Sequence, residues 1–113
     1  MAVIRPFFSI RPSEEKADKI AALPYDVYNR EEAKAAVANH PLSFLNIDRA
    51  ETQFDDTVDT YDERVYQKAR DLLWDMVEKG DFIREKKRCY YIYELTMDGR
   101  TQTGITACAS IDD

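Results

Sequence analysis

The strongest constraint on the fold is a single apolar stripe within residues 57–79. Tyr61, Val65, Ala69, Leu72, Leu73, Met76 and Val77 recur at the i, i+4, i+7 spacing that lines one side of an α-helix. Thr60 with Glu63 offers a capping box at the start, and Gly80 stands where a helix-ending C′ glycine is expected. Trp74 falls at the margin of the stripe. A helix with one apolar face needs a second layer to cover it. The rest of the chain is therefore expected to supply a sheet on which this helix packs, with Leu72 and Leu73 at the contact.

The best strand signal follows the helix. Residues 89–96 and 101–111 flank Met97-Asp98-Gly99-Arg100, and Asp-Gly between alternating strands marks a two-residue hairpin. With Asp98-Gly99 as the loop, Ile92 faces Ile105, Tyr93 covers Gly104 and Tyr90 faces Ala107. The same register sets Cys89 opposite Cys108 at a hydrogen-bonded position, where the wider Cα spacing makes a disulfide awkward. Two reduced thiols packed as small hydrophobes are expected there. For Tyr90, Tyr91 and Tyr93, core and cross-strand packing is favoured over a binding surface.

The amino-terminal half is more broken. Val3, Ile4, Phe7, Phe8 and Ile10 read as extended chain, but Pro6 restricts the segment to an edge strand or a bend. Ser13 to Lys19 allows one helical turn. Asn29 is placed to cap a second helix running to about Asn39, with Glu32 completing the capping box and Pro41 closing the segment. Residues 42–48 read as a strand, and 49–57 as a polar, acidic connection. The expected class is α+β, with two main helices packed on a small, mostly antiparallel sheet that ends in a C-terminal β-hairpin. A single domain over residues 1–113 is expected, as the N-terminal fragment of a longer protein.

Hydrophobic residues make up 44% and aromatics 12% of the chain, which excludes a disordered composition. A formal charge of −6, with basic residues scattered apart from Arg84, Lys86, Lys87 and Arg88, argues against a nucleic-acid partner. No apolar run reaches membrane-spanning length, and no signal peptide is evident, so a cytosolic protein is expected. Two cysteines are too few for a disulfide scaffold. His40 is the sole histidine, which leaves multi-histidine metal sites out of reach, and a structural role at a helix end suits it best. Asp55, Asp56, Asp59 and Asp62 do not follow a calcium-loop spacing, and a solvated helix start accounts for them without a metal. There is no glycine-rich phosphate loop and no nucleophile signature.

One segment resists a purely structural reading. Pro24-Tyr25-Asp26 precedes the Asn29 helix. In one reading Asp26 closes a turn while Tyr25 packs inward; in the other, a rigid loop beside a helix start presents a hydroxyl and a carboxylate to a ligand. Residue chemistry alone favours the first reading.

Arg5-Pro6, Pro24-Tyr25-Asp26-Val27 and Pro41-x-Ser43-Phe44-Leu45, followed by Gly80, Tyr91-Ile92-Tyr93 and Arg100 through Gly104-Ile105, resemble a bacterial and archaeal family of uncharacterised proteins, domain-of-unknown-function family 1015. The likeness runs along nearly the whole chain. The family often has two prolines before Tyr-Asp and Asn-Pro where this chain has His40-Pro41. The resemblance implies longer full-length members, with a His-Glu motif and an Asp-Gly-His-His-Arg motif beyond this segment. The latter is similar to ParB/sulfiredoxin-like proteins, which include nucleotide-dependent kinases of free serine. By that implication the full-length protein is a small-molecule phosphotransferase in serine metabolism using ADP or ATP with Mg. Asp26 is then the catalytic candidate, and Arg5, Tyr25 and Asn29 the substrate-binding candidates. No metal and no cofactor is expected within this piece, which alone is inactive. A small-molecule ligand, the remainder of the full-length chain and a second copy through the hairpin edge are the expected partners. The alternative is a non-catalytic ligand-binding or scaffold domain.

Overall fold

The computed structural model describes residues 2–111. The elements are β1 (Ile4–Arg5), β2 (Ile10–Pro12), α1 (Ala17–Ile20), a 3-10 turn (Tyr25–Val27), α2 (Arg30–Val37), α3 (Leu45–Asp48), a second 3-10 turn (Ala50–Gln53), α4 (Glu63–Glu78), β3 (Phe82–Arg84), β4 (Tyr91–Met97), β5 (Arg100–Thr106) and β6 (Cys108–Ala109). The class is α+β, as expected. The strands are distributed over three two-stranded sheets, β1–β6, β2–β3 and β4–β5. The chain forms two compact units, a helical unit of residues 12–83 and a hairpin unit of residues 1–11 with 84–113, and it crosses between them within β2 and β3.

In the helical unit, α2 begins as its sequence predicts. The Asn29 side chain accepts from the Glu32 N–H at 2.8 Å, and Glu32 Oε1 accepts from the Asn29 N–H at 3.0 Å, a complete capping box. The start of α4 differs. Asp62, rather than Thr60, is the N-cap and accepts from the Arg64 N–H. Asp59 Oδ1 holds the Tyr61 N–H, which leaves Tyr61 ahead of the helix and 80% exposed. Gly80 ends the helix at φ +83°, the left-handed geometry glycine adopts without strain.

The apolar face of α4 packs against α3 and the Ala50–Gln53 turn, helical elements rather than the expected sheet. Val65 and Met76 are buried, whereas Leu72 and Leu73 are only half-buried, a shift from the expected centre of the stripe. The remaining buried apolar side chains include Ile20, Ala33, Leu45, Ala50 and Phe82, with the Phe44 and Phe82 rings edge-to-face at 6.4 Å.

Residues 42–48 are a correction. They form a turn and α3, not a strand. The Asn46 amide donates to the carbonyls of His40, Pro41 and Ser43, while Ser43 Oγ accepts from the Leu45 N–H. One side chain thereby satisfies several backbone acceptors, a local alternative to strand pairing that a short apolar run does not reveal.

In the hairpin unit, β4 and β5 pair in the register set by Asp98-Gly99, from Tyr91↔Thr106 to Met97↔Arg100, including Ile92↔Ile105 and Tyr93↔Gly104. Asp98 (φ 53°) and Gly99 (φ +76°) both occupy positive φ, as a type I′ turn requires. That register does not extend to the cysteines. The Phe7 and Cys89 backbones exchange hydrogen bonds, and Arg5 pairs with Cys108, so each cysteine lies opposite the amino-terminal segment instead of the other. Both thiols are free, and both residues are exposed rather than packed as small hydrophobes. The segment broken by Pro6 supplies these pairings as short extended pieces. Tyr91 packs its ring on Phe7 at 5.1 Å, but Tyr90 and Tyr93 are more than half exposed, so cross-strand packing covers only one of the three tyrosines.

Candidate functional site

Tyr25, Asp26 and Asn29 follow one another along the 3-10 turn and the start of α2, whereas Arg5 is an exposed β1 residue of the hairpin unit. Tyr25 is 57% exposed and Asp26 is exposed, and among the described residues no hydrogen bond or ion pair engages the Asp26 carboxylate or the Tyr25 hydroxyl. Tyr25 is therefore not the inward-packed ring of the structural reading. Asn29 has its side-chain oxygen committed to capping.

What holds this exposed turn is a pair that sequence reasoning passed over. Arg49 Nη1 donates to the carbonyls of Tyr25 at 3.0 Å and Tyr28 at 2.7 Å, spanning both ends of the turn. Arg49 Nε in turn donates to Glu51 Oε1, and the Glu51 side chain is nearly fully buried. A buried carboxylate retained with its guanidinium is costly unless geometry and hydrogen bonds compensate. Here Nε faces the carboxylate while Nη1 is directed at the turn. In the sequence, Arg49-x-Glu51 is indistinguishable from a solvated pair in a polar connection, and only Ala50 between them hints at burial.

Beside the turn lies a cleft of about 720 Å³, within the size range of small-molecule sites. Its polar lining is Asp18, Lys19, Tyr28, Asn39, His40 and Ser43, and its apolar lining includes Ala22, Leu23, Leu42 and Leu45. Tyr28, not Tyr25, connects the turn to this cleft. The His40 backbone is structural, donating to Val37 and accepting from Ser43 and Asn46, while the residue itself lines the cleft.

The acidic run is absorbed locally. Asp55 accepts from the Thr57 hydroxyl and N–H, which lowers its pKa, and Lys34 holds Asp56 at 2.8 Å and lowers it likewise. Hydrogen bonds from the Arg64 side chain and backbone hold Asp62 down to about 2. Among the described residues, no three His, Cys, Asp or Glu side chains gather as a metal-binding group. Among them also, no helix is long and apolar enough to cross a membrane.

No curated protein and no solved structure matches this chain. A family model described as "Protein of unknown function (DUF1015)" matches residues 4–113. The chain therefore belongs to that family.

Proposed function

We propose that this chain supplies a rigid, ligand-facing wall of a cytosolic small-molecule enzyme, a nucleotide-dependent kinase of a free amino acid such as serine. The observation that carries this reading is the Tyr25–Tyr28 turn. Arg49, paired with the buried Glu51 carboxylate, holds the backbone of an exposed loop whose Asp26 carboxylate and Tyr25 hydroxyl bond to nothing in the described chain. Pre-organised loops on a rigid support are where binding and catalytic groups concentrate. Phosphoryl transfer also needs cationic or metal groups around the phosphates and a residue to orient the nucleophile. Asp26 fits the orienting role and Tyr25 a substrate contact. ADP or ATP with Mg, and the ParB/sulfiredoxin-like likeness, belong to the full-length protein in this reading.

The test is turnover of nucleotide with free serine by the full-length protein. Asp26→Asn should lower turnover while leaving thermal unfolding unchanged. A fully active variant, or no turnover across a broad screen of nucleotides and amino acids, would overturn the reading.

A second reading, a non-catalytic binding or scaffold domain, is favoured by the hairpin. The β4–β5 sheet is two-stranded, with Ile92 and Ile105 each 78% exposed, and unprotected strand edges invite pairing with another copy. It predicts a concentration-dependent dimer in sedimentation, abolished by Gln102→Pro on β5, with no turnover under any condition.

A further inference from the structure

We propose that the cleft bounded by α1, the end of α2 and the Pro41–Ser43 turn binds a free α-amino acid with an apolar side chain. The two ends of such a ligand need opposite charges close together, and the mouth of the cleft provides them. Asp18 and Lys19 are successive residues of α1, both line the cleft, and no ion pair or hydrogen bond within the described chain engages either side chain. By contrast, Lys16, in the same region, is occupied by Asp81 at 2.8 Å.

The surrounding dipoles orient the ligand. Ala36 and Asn39 bring the carboxyl-terminal end of α2 to the cleft wall, and that end of a helix favours positive charge. The ammonium group therefore belongs with Asp18 or near the α2 end, and the carboxylate with Lys19. A free phosphate or a dianion fits poorly, because it would meet both a carboxylate and a helix carboxyl terminus. Ser43 keeps a hydroxyl proton to donate, since its oxygen only accepts from the Leu45 N–H.

The size and apolar lining set the side chain. Ala22, Leu23, Leu42 and Leu45 are apolar members of the lining, and about 720 Å³ leaves room for a branched aliphatic group beyond the charged pair. A small hydroxylated side chain would leave those residues uncovered and gain little.

This inference does not rest on the phosphotransfer reading, because it is tested by binding rather than turnover. Calorimetry on this chain would compare L-leucine with L-serine, isoamylamine and isocaproate at millimolar concentration. L-Leucine should bind. Isoamylamine, which lacks the carboxylate, and isocaproate, which lacks the ammonium, should each bind at least about tenfold more weakly, as should L-serine. Asp18→Asn and Lys19→Met should each weaken L-leucine by about tenfold while leaving the circular dichroism spectrum and thermal midpoint unchanged. Both residues are exposed on a short helix and make no contacts the fold depends on. Absence of L-leucine binding, equal binding of the singly charged analogues, or unaltered affinity in both variants would overturn the proposal. Equal binding of L-serine would overturn the role of the apolar lining.

Discussion

The helical unit and the hairpin unit reach regular structure by different routes. In the helical unit, Ile20, Leu45, Val65, Met76 and Phe82 are all 6% exposed or less, and polar groups such as Glu51, Asn46 and Asp81 are buried with partners. In the hairpin unit, Ile92, Ile105 and Met97 are 68–78% exposed, and among its described residues the buried one is a serine, Ser9. There the Asp98-Gly99 turn and the backbone ladder specify the strands, with little side-chain burial behind them. Local turn chemistry is enough to set a register, whereas burial is what makes a unit resistant to unfolding.

The sharpest way to break this contrast is to remove the partner of the buried Glu51 carboxylate in the helical unit. Arg49→Met should cost about 3–5 kcal/mol by leaving Glu51 charged, buried and alone. Urea denaturation measures it, and faster amide exchange in residues 25–28 should accompany it as the turn loses its tether. Loss of stability below about 1 kcal/mol would mean that Glu51 is not a committed buried charge.

Next in size is Leu45→Ala, expected at about 2–5 kcal/mol for a leucine this deeply buried. Leu72→Ala and Leu73→Ala should each cost clearly less, because both are half-buried. Equal losses at all three sites would return the centre of the α4 contact to the position its stripe suggested.

In the hairpin unit, Ile92→Thr or Ile105→Thr should change stability by only about 0.5 kcal/mol, as for an exposed site. Hydrogen exchange should then show the β4–β5 amides opening before those of α4. A cost above that of Leu45→Ala would show that the hairpin face is covered in solution.

The smallest expected effect is electrostatic. Asp62 is held at about 2 by Arg64, well below the ordinary carboxylate value near 4. A depressed carboxylate contributes stability that is fully present above about pH 4 and lost as pH falls toward 2. The stability gap between the native chain and Asp62→Ala should narrow across that window, as followed by thermal unfolding at successive pH values. A gap independent of pH would remove Asp62 as the charged cap of α4.

Legibility followed the range of the interactions. The capping box at Asn29, the glycine after α4 and the Asp-Gly hairpin all depend on residues within a few positions, so spacing reveals them. The cysteines show the limit. Continuing the hairpin count sets Cys89 against Cys108, but backbone groups from residues more than eighty positions earlier occupy those places. Likewise, an Arg-x-Glu in a polar stretch discloses neither its burial nor the turn it holds.

By itself, then, the sequence determined the class, the two principal helices and the hairpin register, because periodicity, caps and turn residues act locally. Tertiary structure alone decided that the Tyr25-Asp26 turn is exposed and tethered by Arg49 beside Glu51, that Tyr28 and His40 share a cleft with Asp18 and Lys19, and that the cysteines are parted. Each of those outcomes depends on burial or pairing between distant segments, and a one-dimensional pattern carries no record of which segments meet.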